Sequence, residues 1–90
     1  MQLILARRRG HAETWAKENG VRLARGGRVR SDSSLYVNSP DQLRGMTLTS
    51  DDTIVVLDGF ENRANRTQIL QFIEIASLAD PAGGPTWETR

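Results

Sequence analysis

The run TIVVL, residues 53–57, is bounded by Asp51 and Asp52 on one side and by Asp58 and Gly59 on the other. It is too short for a buried helix, and Thr53 to Val56 are all β-branched. Its apolar character is continuous instead of alternating, which marks a strand buried on both faces. Strands of that kind belong to parallel sheets whose faces are covered by helices. QLILA, residues 2–6, is a second such run and stops on Arg7, Arg8 and Arg9. SLYVN, residues 34–38, is a third.

Helical patterns fall between and after these runs. In HAETWAKEN, residues 11–19, Ala12, Trp15 and Ala16 recur at helical spacing, and Gly20 supplies a C-terminal stop. SPDQLRG, residues 39–45, carries Ser39 as N-cap, Pro40 in the first turn and Gln42 to complete a capping box, with Gly45 as its end. The spacing predicts a last helix over 65–78, with Asn65 and Gln68 as N-cap and N3 pair. Its apolar stripe of Ile69, Phe72, Ile73 and Ala76 is widened by Leu70, Ile75 and Leu78. A helix so apolar either sits deep in the core or pairs with a second subunit, so Ile69, Leu70, Phe72, Ile73 and Ile75 are the candidate dimer surface. Residues 21–34 read as a basic loop with a short extended piece, or as a hairpin turning at Gly26 and Gly27. Residues 80–90, rich in proline and glycine, read as a flexible tail on a single domain of residues 1–79.

The order strand–helix–strand–helix–strand–helix predicts a small three-layer α/β domain. With right-handed crossovers its parallel sheet has about three strands in the order 2-1-3, with helices on both faces. Ninety residues bury roughly 60–65% of the surface of the unfolded chain, so the core is modest and subunit pairing would add to it.

Composition removes several chemistries. The chain has no cysteine, which excludes disulfides, thiolate zinc sites and cysteine nucleophiles, and its one histidine, His11, excludes a multi-histidine metal site within one chain. No stretch approaches the roughly 20 apolar residues of a membrane span. The N-terminal apolar run precedes its arginines, the reverse of a signal peptide, so the expected location is the cytoplasm. Charge is unevenly divided. Residues 1–30 hold eight cations against two acids, whereas residues 31–90 hold four against nine.

In a sheet of order 2-1-3, ligands bind beyond the carboxyl ends of the strands, where the connections from strands one and three leave in opposite directions. That edge gathers Arg7, Arg8, Arg9 and His11 after the first strand, Asn38 after the second, and Asp58 and Glu61 after the third. Guanidinium groups beside a helix start suit an anion. Asp58 is expected to pair with one of Arg7, Arg8 or Arg9, and Arg63 and Arg66 to hold Asp58 and Glu61 ionised. Asp51 and Asp52 lie at the opposite edge and read as turn residues. Arg22, Arg25, Arg28 and Arg30 are candidate nucleic-acid contacts. Neither GxxxxGK[ST] nor GxGxxG occurs, so no glycine loop is present to cradle a triphosphate.

SPDQLRGMTLTSDDTIVVLDGFEN, residues 39–62, resembles the stretch around the acidic motif of P-loop ATPases, phage terminases among them. Leu43-Arg44-Gly45 and Val55-Val56-Leu57-Asp58 carry the likeness, while Gly59 stands where those enzymes place a catalytic glutamate. Taken whole, residues 1–78 are similar to small Rossmann-like α/β accessory proteins of unassigned role from actinobacterial phages. Trp15-Ala16, Ser39-Pro40, Leu43-Arg44-Gly45 and Asp58-Gly59 carry that second likeness. It implies an accessory protein acting on phage or host machinery in the host cytoplasm.

The sequence thus points to a non-catalytic protein without cofactor or metal. It would bind a protein partner through the arginine-bearing edge, the apolar last helix, or both, and the helix also favours a homodimer. Nucleic-acid binding through Arg7 to Arg9 and Arg22 to Arg30 is the alternative. A phosphate-ester enzyme with Asp58 as metal ligand is the third reading.

Overall fold

The computed structural model describes residues 1–24 and 34–90. Four strands, β1 (Gln2–Leu5), β2 (Ser34–Tyr36), β3 (Thr53–Val56) and β4 (Thr86–Thr89), form one sheet of order β2-β1-β3-β4. Every pairing is parallel, and β1 is in register with β3 from Gln2↔Thr53 to Leu5↔Val56. Two α-helices, α1 (Arg9–Glu18) and α2 (Arg66–Ser77), and two single-turn 3-10 helices, Pro40–Leu43 and Phe60–Asn62, connect the strands. The expected α/β class, parallel sheet and 2-1-3 order are therefore present.

The fourth strand is a correction to the expected three. It pairs with β3 from Thr53↔Thr86 to Val56↔Thr89, within the segment read as a tail. Its sequence, TWET, lacks a continuous apolar run because it is a sheet edge and is largely exposed.

Continuous apolar strands bury both faces, and side chains of successive residues go to opposite sides. Leu3, Leu5, Leu35 and Ile54 pack with Phe60 and with Ile69, Ile73 and Ala76 of α2, while Leu43 and Leu48 from the β2–β3 connection complete this larger core. The smaller core on the other face joins Ile4, Tyr36 and Val55 to Ala12 of α1, with Trp15 at its margin. Small side chains at Ala12 and Ala16, both buried, let α1 lie close to the sheet.

Helix ends follow local chemistry. α1 begins two residues before the expected start and ends against Gly20, where Val21 N–H donates to the Ala16 carbonyl at 2.8 Å. The helix expected over 39–45 is the 3-10 turn Pro40–Leu43, and its capping box is present, with Gln42 Oε1 accepting the Ser39 N–H at 3.1 Å. Asn65 is the N-cap residue of α2 by position, but its side chain makes no capping bond to the helix. It accepts from Arg63 Nε at 3.1 Å instead. Among the described residues, no helix is long and apolar enough to cross a membrane. From the 21–34 segment, Leu23 makes a parallel bridge to Ser34, and the proposed turn at Gly26 and Gly27 lies outside the described residues.

Candidate functional site

The chain leaves β1 toward the face covered by α1, and leaves neighbouring β3 toward the face covered by α2. The two exits diverge and open a crevice of about 850 Å³ at the carboxyl edge of the sheet. Arg7, Arg8 and His11 line one wall, and Asp58, Glu61 and Asn62 line the other. Five of the residues assigned to this edge from sequence therefore share one cavity: Arg7, Arg8, His11, Asp58 and Glu61.

Gly59 shapes the far wall. Its φ of 93° is left-handed, and a Cβ there would sit 3.3 Å from Arg7 Cβ. Glycine alone takes this turn at little steric cost while leaving room for the arginine stem. Glu61 curls back so that its Oε2 accepts the Gly59 N–H at 3.1 Å.

The near wall is the start of α1. Arg8 occupies the N-cap in extended conformation, no side chain caps the helix, and the first turn holds no acid. The positive end of the helix dipole therefore faces the crevice without an intrinsic counter-charge in that turn. Arg9 is turned along the helix, where its Nε bonds Glu13 Oε1 at 2.9 Å, and it does not line the crevice.

The expected pairing of Asp58 with an arginine of the first strand is absent. Among the described residues, no carboxylate lies within 4.0 Å of the cationic nitrogens of Arg7 or Arg8, and no cation lies that close to Asp58. Exposed ion pairs gain only about 0–1 kcal/mol, so solvent competes successfully with such a contact. The Arg7 stem is also committed to packing beneath Gly59.

Arg63 and Arg66 do not serve the acids either. Arg66 Nη1 donates to the Glu61 backbone carbonyl. Arg63 donates from Nη1 to the carbonyls of Val37 at 2.7 Å and Ala6 at 3.3 Å, and from Nη2 to the carbonyl of Asn38. The same guanidinium donates to Tyr36 Oη at 3.3 Å and lies 5.7 Å from the centre of that ring. It thus ties the carboxyl ends of β1 and β2 together. Asn38, with its carbonyl held here and its N–H given to Gln42 Oε1, belongs to this junction and not to the crevice.

The candidate dimer helix divides. Ile69 and Ile73 are spent in the protein's own core, and Phe72 packs partly against it, which leaves Leu70 and Ile75 exposed. Arg22 is exposed, whereas Arg25, Arg28 and Arg30 lie outside the described residues. Among the described residues, no group of three His, Asp or Glu side chains converges closely enough to hold a metal ion. Asp52 behaves as a turn residue. Its Oδ2 accepts the Thr49 N–H at 2.8 Å, and its Oδ1 lies 2.9 Å from the N-terminal ammonium of Met1.

Comparison with protein-family models, with curated proteins and with solved structures finds no match to this chain.

Proposed function

We propose that this protein is a non-catalytic binding module, of the accessory kind its resemblance to small phage proteins implies. It docks on a protein partner by taking an anionic side chain, carboxylate or phosphate, into the carboxyl-edge crevice. One observation carries this reading. Arg7 and Arg8 border the crevice with no carboxylate within 4.0 Å among the described residues, although Asp58 and Glu61 line the facing wall. Two guanidinium groups beside an uncapped helix start provide forked donors and positive potential for an incoming oxyanion. Asp58 and Glu61 on the far wall favour a ligand that carries a cation or donor next to its anion, as a polypeptide does.

The test is fluorescence anisotropy with a labelled short peptide carrying one phosphoserine, an unphosphorylated twin, and a single-stranded oligonucleotide of similar length. Charge-assisted hydrogen bonds contribute about 1.5–3 kcal/mol each, so Arg7→Ala with Arg8→Ala weakens phosphopeptide binding at least about tenfold. Equal binding of both peptides, or no effect of the double substitution, contradicts the proposal. Binding of the oligonucleotide alone replaces it with the nucleic-acid reading.

A further inference from the structure

The two edges of the sheet differ. Beside β2, Ala24 N–H donates to the Ser34 carbonyl and Ser34 N–H donates to the Arg22 carbonyl, each at 2.7 Å. That edge is covered at Ser34 by the chain itself. β4 forms the opposite edge. Thr86 N–H donates to the Asp52 carbonyl at 3.0 Å, and Arg90 N–H donates to the Val56 carbonyl at 2.8 Å. Backbone groups alternate along a strand, so the N–H and C=O of Trp87 and Thr89 face outward. Among the described residues no other backbone group bonds to them. Sheet edges are commonly blunted by proline, lysine or a bulge, and TWET contains neither proline nor lysine.

An apolar groove of about 470 Å³ runs beside this edge, between α2 and β4. Leu70, Ile73, Leu78 and Trp87 supply its apolar lining. Three of these are substantially exposed: Leu70 at 39%, Trp87 at 48% and Leu78 at 74%. Trp87 is in register with Ile54, which places it on the α2 face of the sheet. The groove has acids and no cation in its lining. Asp80 is occupied by the amides of Ala82 and Gly84, whereas Glu74 has no hydrogen bond or ion pair among the described residues.

We infer that β4 receives an extended, basic segment of a protein partner as a fifth strand. Its backbone pairs with Trp87 and Thr89. One apolar side chain enters the groove between Leu70, Leu78 and Trp87, and a neighbouring lysine or arginine meets Glu74. Strand addition of this kind takes affinity from main-chain hydrogen bonds and specificity from alternate side chains. Charge selects the occupant. A second copy of the chain bound through the same edge would set Glu74 and Asp80 against the same two acids, whereas a basic strand complements them. This surface shares no lining residue with the crevice.

The test is selection of random peptides displayed on phage against the full chain, followed by affinity measurement on Thr89→Pro and Glu74→Lys. Thr89→Pro removes an outward N–H and leaves the bonds to β3 in place, and proline is tolerated on an edge strand. Circular dichroism of each variant verifies that the sheet is retained. The expected winners alternate β-branched with polar residues, carry lysine or arginine, and lose at least about tenfold in affinity on each variant. The inference is overturned if no peptide is enriched, if winners are acidic, or if Thr89→Pro binds as well as the parent. Sedimentation equilibrium showing a dimer of the chain that Thr89→Pro dissociates also overturns it, because the occupant is then a second copy.

Discussion

Arg63 does more for this fold than its place in a polar loop suggests. Strand ends leave carbonyls that need donors, and a single guanidinium reaches those of Ala6, Val37 and Asn38. Nothing in the sequence around Arg63 announces this, since the carbonyls it meets lie 25 or more positions away. Its charge suggested an acidic partner, and backbone oxygen took that place. Arg63→Ala should lower stability by about 2–3 kcal/mol, measured by urea denaturation, because charged hydrogen bonds are lost and carbonyls stranded. Arg63→Lys should recover less than half, as one ammonium cannot span the fork. Asp52 offers a second check. Partial burial pushes its carboxyl up, but the Thr49 N–H bond, together with the hydrogen bond and charge of the N-terminal ammonium, outweighs that and holds it below its ordinary value of 3.8. A depressed carboxyl stabilises the fold above its unfolded value, and that contribution is lost as pH falls through the folded one. The stability difference between the parent and Asp52→Asn should therefore be present near neutrality and shrink as pH falls below the ordinary value of 3.8.

Elements were legible in proportion to how much apolar surface they bury. β1 and β3 are central and buried on both faces, and continuous apolar runs mark both of them directly in the sequence. β4 is an edge strand with one large apolar residue, Trp87, and its approach through Pro81, Gly83, Gly84 and Pro85 looks like a linker. Those glycines deliver the strand. Gly84 has a φ of 92°, and a Cβ there would lie 2.8 Å from Ser77 Cβ at the end of α2. Gly84→Ala combines a left-handed penalty with a clash, together about 2–4 kcal/mol. Hydrogen exchange should show the β3-facing amides of Thr86, Glu88 and Arg90 losing protection while Thr53 and Leu57, which donate to Met1 and Leu5, keep theirs. Uniform loss across the sheet would mean that β4 is not a separable layer. α2 was ambiguous between core and interface because its apolar stripe is wide. The structure resolves Ile69 and Ile73 into the core and leaves Leu70, Ile75 and Leu78 outside.

At the scale of the molecule, the parallel order places the β1 and β3 exits side by side, and the crevice follows from that topology. The site was readable in outline for this reason: strand order decides which loops meet. The pairing inside it was not readable, because exposed side chains choose among solvent, backbone and one another by margins of about 1 kcal/mol. The cation excess of residues 1–30 contributes Arg7 and Arg8 to this edge, while the acids Glu74 and Asp80 line the α2–β4 groove. Under the two proposals above, these surfaces would take ligands of opposite charge.

The most direct measurement is an amide NMR titration of the full chain with the phosphoserine peptide. Anion binding in the crevice predicts that the largest shifts fall on Arg9, Gly10 and His11 at the start of α1 and on Gly59 and Phe60 across the crevice, and that Arg7→Ala with Arg8→Ala abolishes them. Shifts confined to other surfaces, or an unchanged spectrum at saturating peptide, would contradict it.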